Sequence, residues 1–98
     1  MKRVPALAVS RARLKEINRR ILRLLARRNV VVKQVALRKA IEGIPIVRPG
    51  VERKCFADIR AQAESLGLDP QYACAVFQLM LDQAYKVEIT HLQKGDSQ

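Results

Sequence analysis

Residues 10–41 contain neither glycine nor proline, and this long uninterrupted stretch limits the folds open to the chain. Its apolar residues recur at steps of three and four, with one gap at position 28; they are Leu14, Ile17, Ile21, Leu24, Val31 and Val35. This spacing predicts one continuous amphipathic helix, with Ser10 as its N-cap. Such a helix is about 48 Å long, whereas a small domain has a radius of gyration of about 13 Å. We therefore expect it to pack against a second chain.

Two shorter helices are expected after this long one. Glycines and prolines interrupt the pattern at Gly43, Pro45, Pro49 and Gly50. They indicate a loop over residues 42–51. A second helix is predicted over residues 52–66, with Gly67 at its C′ position. A third helix is predicted from the Asp69–Pro70 pair to about residue 92. The expected fold is all-α, with three helices per chain, one of them very long.

Length and composition agree with a single helical domain over residues 1–98, with flexible tails at 1–9 and 94–98. Aromatic residues make up only 4% of the chain, which disfavours an all-β sandwich. Cys55 and Cys74 form no CxxC pair and there is one histidine, so neither a metal site nor a disulfide framework is predicted. We expect two reduced core thiols in a cytoplasmic protein. No apolar run approaches the roughly 20 residues needed to cross a membrane.

Positive charge is concentrated in the first half of the chain. Residues 1–40 hold 13 Lys and Arg and a single acid, within a chain of net charge +10. The first interpretation of this imbalance is a protein that binds a polyanion. Most arginines of the long helix lie off the apolar stripe, however, where solvation explains them. Few aromatics are present to stack on bases, so we expect no nucleic-acid partner. A non-catalytic polyanion-binding helical protein remains the less favoured alternative.

Arg28 differs from the other arginines because it fills the gap in the apolar stripe. A buried charge without a partner is costly, so Arg28 needs an anion. Lys39 follows it by about three helical turns, within about 20° of the same face. Arg11 is about 25 Å away along the helix and could reach that site only from the partner of an antiparallel dimer. The three cations predict a small dicarboxylate, or another anion, bound inside a helical dimer.

Several segments of the chain, spread over about residues 10–92, match one known family without an insertion or deletion between them. The segments are residues 11–28, 35–39, 43–46, 52–53, 67–70 and 77–80. In combination they resemble the all-helical bacterial chorismate mutases. The resemblance implies an intertwined homodimer with two equivalent sites. It also implies a pericyclic conversion of chorismate to prephenate, without cofactor or covalent intermediate, through orientation and electrostatic stabilisation.

The resemblance assigns roles to five residues. Arg28, together with Arg11 of the partner subunit, would clamp the two carboxylates of the substrate. Lys39 would contact a carboxylate and the ether oxygen. Glu52 would approach the ring hydroxyl. Glu88 matches the position that hydrogen-bonds the ether oxygen from the other side, where Gln is usual in bacteria.

Three positions depart from the family pattern. The family usually has an acidic residue at the position of Arg48, an arginine at that of Val51 and a small hydroxyl residue at that of Ala84. Arg48 therefore joins the candidate substrate-binding residues, since it changes the charge beside Glu52. These departures keep two same-fold alternatives open, a 4-amino-4-deoxychorismate mutase and an isochorismate pyruvate lyase.

Overall fold

The computed structural model of the protein describes residues 3–96, and in this range it contains helices and no strand. The helices are α1 (Leu7–Glu42), α2 (Pro49–Ser65) and α3 (Pro70–Asp96). The predicted all-α fold with one very long helix is therefore confirmed. The chain forms two compact units, Met1–Val31 and Val32–Gln98, and α1 contributes residues to both.

The first helix begins three residues before the predicted N-cap. The amides of Val9 and Ser10 donate hydrogen bonds to the carbonyl of Ala6, at 3.0 and 3.2 Å. Ser10 therefore lies inside α1, and its prediction as N-cap was wrong. Nothing in the preceding Ala6–Val9 segment breaks a helix, since alanine and leucine are good helix formers.

The two predicted tails reach beyond the described residues. Residues 1–2 and 97–98 lie outside the range that the structure describes. Within that range, residues 7–9 and 94–96 are helical.

Two glycines end the first and second helices in the same way. Gly43 and Gly67 adopt the left-handed conformation, with φ of 69° and 70°. In each case the next residue's amide reaches back to close the last turn: Ile44 donates to the Lys39 carbonyl and Leu68 to the Ala63 carbonyl, both at 2.8 Å. This is the Schellman arrangement, which glycine adopts without the steric penalty of a Cβ. The prediction of Gly67 at the C′ position is confirmed.

The second helix begins at Pro49, three residues before the predicted start, so the loop shrinks to residues 43–48. A proline at the first helical position is preorganised for helix and loses no needed amide donor. Arg48 occupies the N-cap position without a side-chain cap. The third helix starts as predicted, because Asp69 Oδ1 accepts the Gln71 amide at 2.9 Å.

Small residues form the interior of the second unit, where α2 packs against α3. Among the described residues the buried apolar positions are Ala36, Ala63, Ala73 and Ala84, and no large side chain is fully buried. The predicted core thiols need a correction: both cysteines are free, but Cys55 is exposed and Cys74 is only half-buried. In the described range no helix is long and apolar enough to cross a membrane.

Candidate active site

A buried ion pair joins the last turn of α1 to α3. Lys39 Nζ lies 3.1 Å from Glu88 Oε1, and only 18% of the lysine side chain and 4% of the glutamate side chain are exposed. Glu88 is the one buried charged residue in the described part of the chain. A charge is held at such depth only when a partner offsets the loss of water. The structure therefore brings together two of the predicted site residues.

The ammonium of Lys39 has a second partner in the loop after α1. Its Nζ donates a hydrogen bond of 2.7 Å to the main-chain carbonyl of Ile46. By contrast, Glu88 Oε1 makes no hydrogen bond in the described part of the chain, so its contact with Lys39 is a close charge pair without hydrogen-bond alignment. An ammonium has three N–H donors. Lys39 thus keeps donor capacity for a bound molecule.

Glu52 carries another unsatisfied acceptor. The residue is half-buried, and its Oε1 is buried without a hydrogen-bond partner in the described part of the chain. It lines an open groove of about 490 Å³ together with Arg53, Phe56, Arg60, Cys74 and Gln78. An orphaned buried oxygen is costly. A hydroxyl donor on a bound molecule would remove that cost.

The three predicted arginines are placed differently. Arg11 is exposed and Arg28 is half-buried; both belong to the first unit, whereas Lys39, Glu52 and Glu88 belong to the second. Arg28 makes no ion pair or side-chain hydrogen bond within the described residues. A half-buried guanidinium of this kind has donors free for an anion. Arg48 is exposed at the start of α2.

One contributor to the site was missed from the sequence, namely the carbonyl of Ile46. A main-chain acceptor leaves no mark in side-chain composition. The only local signal was the Gly43–Pro45 turn, which was interpreted as a helix break. As for metals, no group of three or more potential ligands among His, Cys, Asp and Glu occurs in the range that the structure describes.

Comparison with known proteins adds two findings. The family model described as chorismate mutase type II matches residues 10–89. A chorismate mutase of Methanocaldococcus jannaschii is 30% identical over 91 residues, which cover 93% of this chain and 92% of that protein. No solved structure gives a significant match.

Proposed function

Since the chain belongs to the type II chorismate mutase family, we propose that it converts chorismate to prephenate. The observation that carries the proposal is the buried Lys39–Glu88 pair, which sets a cation with unused donors beside a carboxyl group. The family resemblance assigns both residues to the ether oxygen, whose bond to carbon breaks during the rearrangement. The reaction is an isomerisation within one molecule, so the protein's task is to orient the substrate and to stabilise developing charge.

Lys39 is proposed as the main electrostatic catalyst. The ether oxygen gains negative charge as its carbon–oxygen bond lengthens, and an ammonium N–H aimed at it stabilises the transition state more than the ground state. The depth of Lys39, 18% exposed, strengthens this interaction because less water screens it. The same ammonium is proposed to contact a substrate carboxylate.

Glu88 is proposed to act on the ether oxygen from the other side. Only a protonated carboxyl can donate a hydrogen bond, because the ionised form is an acceptor alone. Its position 3.1 Å from Lys39 Nζ supports this role, because it places the carboxyl group beside the ammonium that is proposed to contact the same oxygen.

Substrate binding is assigned to the remaining predicted residues. Arg28 and Arg11 of the partner subunit are proposed to hold the two carboxylates, since a guanidinium forms paired hydrogen bonds with a carboxylate. Glu52 is proposed to accept a hydrogen bond from the ring hydroxyl, and its unpartnered Oε1 supports this role. Arg48, exposed beside this segment, is proposed to contact the substrate from the loop side.

A homodimer is part of the proposal. The apolar residues of the α1 stripe are each 42–59% exposed, namely Leu14, Ile17, Ile21, Leu24, Val31 and Val35. Fully burying one such side chain is worth about 1.5–3 kcal/mol, so a second copy of the chain has several kcal/mol to gain by covering the stripe. We propose one catalytic domain over residues 1–98 in each chain, and a cytoplasmic location, which two free cysteines support.

The test is a product assay with three substrates. The purified protein is incubated with chorismate, isochorismate or 4-amino-4-deoxychorismate, and the products are separated by chromatography. We expect prephenate from chorismate at a rate that Lys39→Ala reduces at least 100-fold. Turnover of one of the other two substrates alone would identify a same-fold relative with a changed substrate. No turnover of any of them would refute the proposed function.

A further inference from the structure

The loop after α1 forms hydrogen bonds with both the main chain and the side chain of Lys39. The Lys39 carbonyl accepts the Ile44 amide at 2.8 Å, and the Lys39 ammonium donates to the Ile46 carbonyl at 2.7 Å. Residues 43–46 therefore fold back over the last turn of the helix that carries the lysine. The carbonyl contact is the only hydrogen bond of the ammonium among the described residues, because the Glu88 contact lacks hydrogen-bond alignment.

The conformation of this loop depends on Gly43. Its φ of 69° lies in the left-handed region, which is sterically unfavourable for a residue with a Cβ. A Cβ built at this position meets no atom within 4 Å. Glycine is thus required here for backbone direction and not for space, and that direction carries the chain back to Lys39.

We propose that the main-chain carbonyl of Ile46 is a positioning group for Lys39, with Gly43 as the residue that brings it into place. This inference rests on the proposed function, in which Lys39 Nζ touches the substrate. A lysine side chain is a flexible four-carbon stem with a rotating ammonium. A charge pair with Glu88 attracts that ammonium but does not orient its N–H groups. The hydrogen bond to Ile46 fixes one N–H and thereby the direction of the others.

The structure supplies a matched control for this idea. Gly67 has the same left-handed φ, 70°, the same 2.8 Å closing bond and the same empty surroundings for an added Cβ. It ends α2, and the loop after it makes no contact with Lys39 in the described hydrogen bonds. Alanine at either glycine therefore carries the same backbone strain, and only Gly43→Ala disturbs the grip on the lysine.

The first experiment compares Gly43→Ala, Gly43→Asn and Gly67→Ala. Both alanine variants should lower the melting temperature equally. We expect kcat of Gly43→Ala to fall at least tenfold with KM changed less than threefold, because positioning matters most in the transition state. Gly67→Ala should keep kcat within twofold of the parent. Gly43→Asn should recover most of the activity, since asparagine tolerates the left-handed conformation.

A second variant addresses the carbonyl directly and does not strain the backbone at Gly43. Replacing Val47 by its α-hydroxy acid turns the Ile46 carbonyl into that of an ester, a weaker acceptor. This replacement also removes the Val47 amide N–H. That amide donates none of the backbone hydrogen bonds of the loops and helix ends in the described range. We expect kcat to fall severalfold. The ¹⁵N resonance of the Lys39 ammonium, observed in lysine-labelled protein, should broaden through faster proton exchange in this variant and in Gly43→Ala, and not in Gly67→Ala.

Two results would overturn the inference. One is an equal fall of kcat in Gly43→Ala and Gly67→Ala. The other is an unchanged Lys39 ammonium resonance in the ester variant. A parent protein that turns over no chorismate would refute the proposed function instead, and the resonance would still report whether the carbonyl holds the lysine.

Discussion

Removing the charge of Lys39 while keeping its length should cost both stability and activity, in amounts that can be separated. Lys39→Met leaves Glu88, 4% exposed, without its cation. Removing one partner of a buried ion pair costs about 3–5 kcal/mol of folding stability. Solvent screening, which weakens ion pairs at a surface, is small here because both side chains are largely buried. For a domain of this size each kcal/mol lowers the melting temperature by about 4–8 °C. A drop of at least about 12 °C is expected.

The second variant, Lys39→Met combined with Glu88→Gln, tests whether the stranded charge is the cause. A neutral amide is cheaper to bury than a carboxylate, so most of the lost stability should return. The mutase rate should stay at least 100-fold below that of the parent, because no cation faces the ether oxygen. Stability would then recover without activity, which a general loss of folding cannot produce.

The assay is thermal unfolding followed by circular dichroism, at one protein concentration for all variants, together with chorismate turnover. A melting temperature of Lys39→Met within about 3 °C of the parent would refute the reasoning about the buried pair. So would a double variant that is no more stable than the single one.

Three further predictions concern the arginines. Arg28→Ala should lower kcat/KM at least 100-fold through loss of a charge-assisted contact to a carboxylate; unchanged turnover in the folded variant would remove it from the site. Mixing inactive Arg11→Ala chains with inactive Lys39→Ala chains should restore part of the activity after subunit exchange, because each mixed dimer holds one site without a lesion, and no recovery would argue against sites completed by the partner. Replacing Arg48 by Asp and Val51 by Arg should raise chorismate turnover relative to the two other substrates; identical relative rates would show that this loop does not set substrate preference.

The helices were predictable because their signals are local. A stripe at steps of three and four predicted α1, Gly67 predicted the end of α2 through its left-handed backbone, and Asp69 before a proline predicted the start of α3. The starts of α1 and α2 were placed three residues late. Serine is a favourable N-cap, so the pattern predicts a start at Ser10, but the residues just before it also accept a helical conformation. Proline ends a helix in its interior but favours the first helical position, and at Pro49 the second effect applies.

The candidate site was predictable only in part. Arg28 and Lys39 could be singled out by helical spacing, but Glu88 lies on another helix and entered through family resemblance alone. Helical periodicity says nothing about which turn of α3 meets the end of α1. The contact of Lys39 with the Ile46 carbonyl was out of reach, since it depends on a backbone path that a single φ at Gly43 redirects.

The alanines in the interior of the second unit have a thermodynamic consequence. Large apolar side chains account for most of the heat capacity change when a protein unfolds, and within the described residues none of them is fully buried by the chain itself. If a second copy covers the exposed large apolar side chains, part of that heat capacity change belongs to association and not to the folding of one chain. Unfolding then follows mass action. Diluting the protein should therefore lower its melting temperature at unchanged buffer and pH, and its stability depends on protein concentration as well as on temperature.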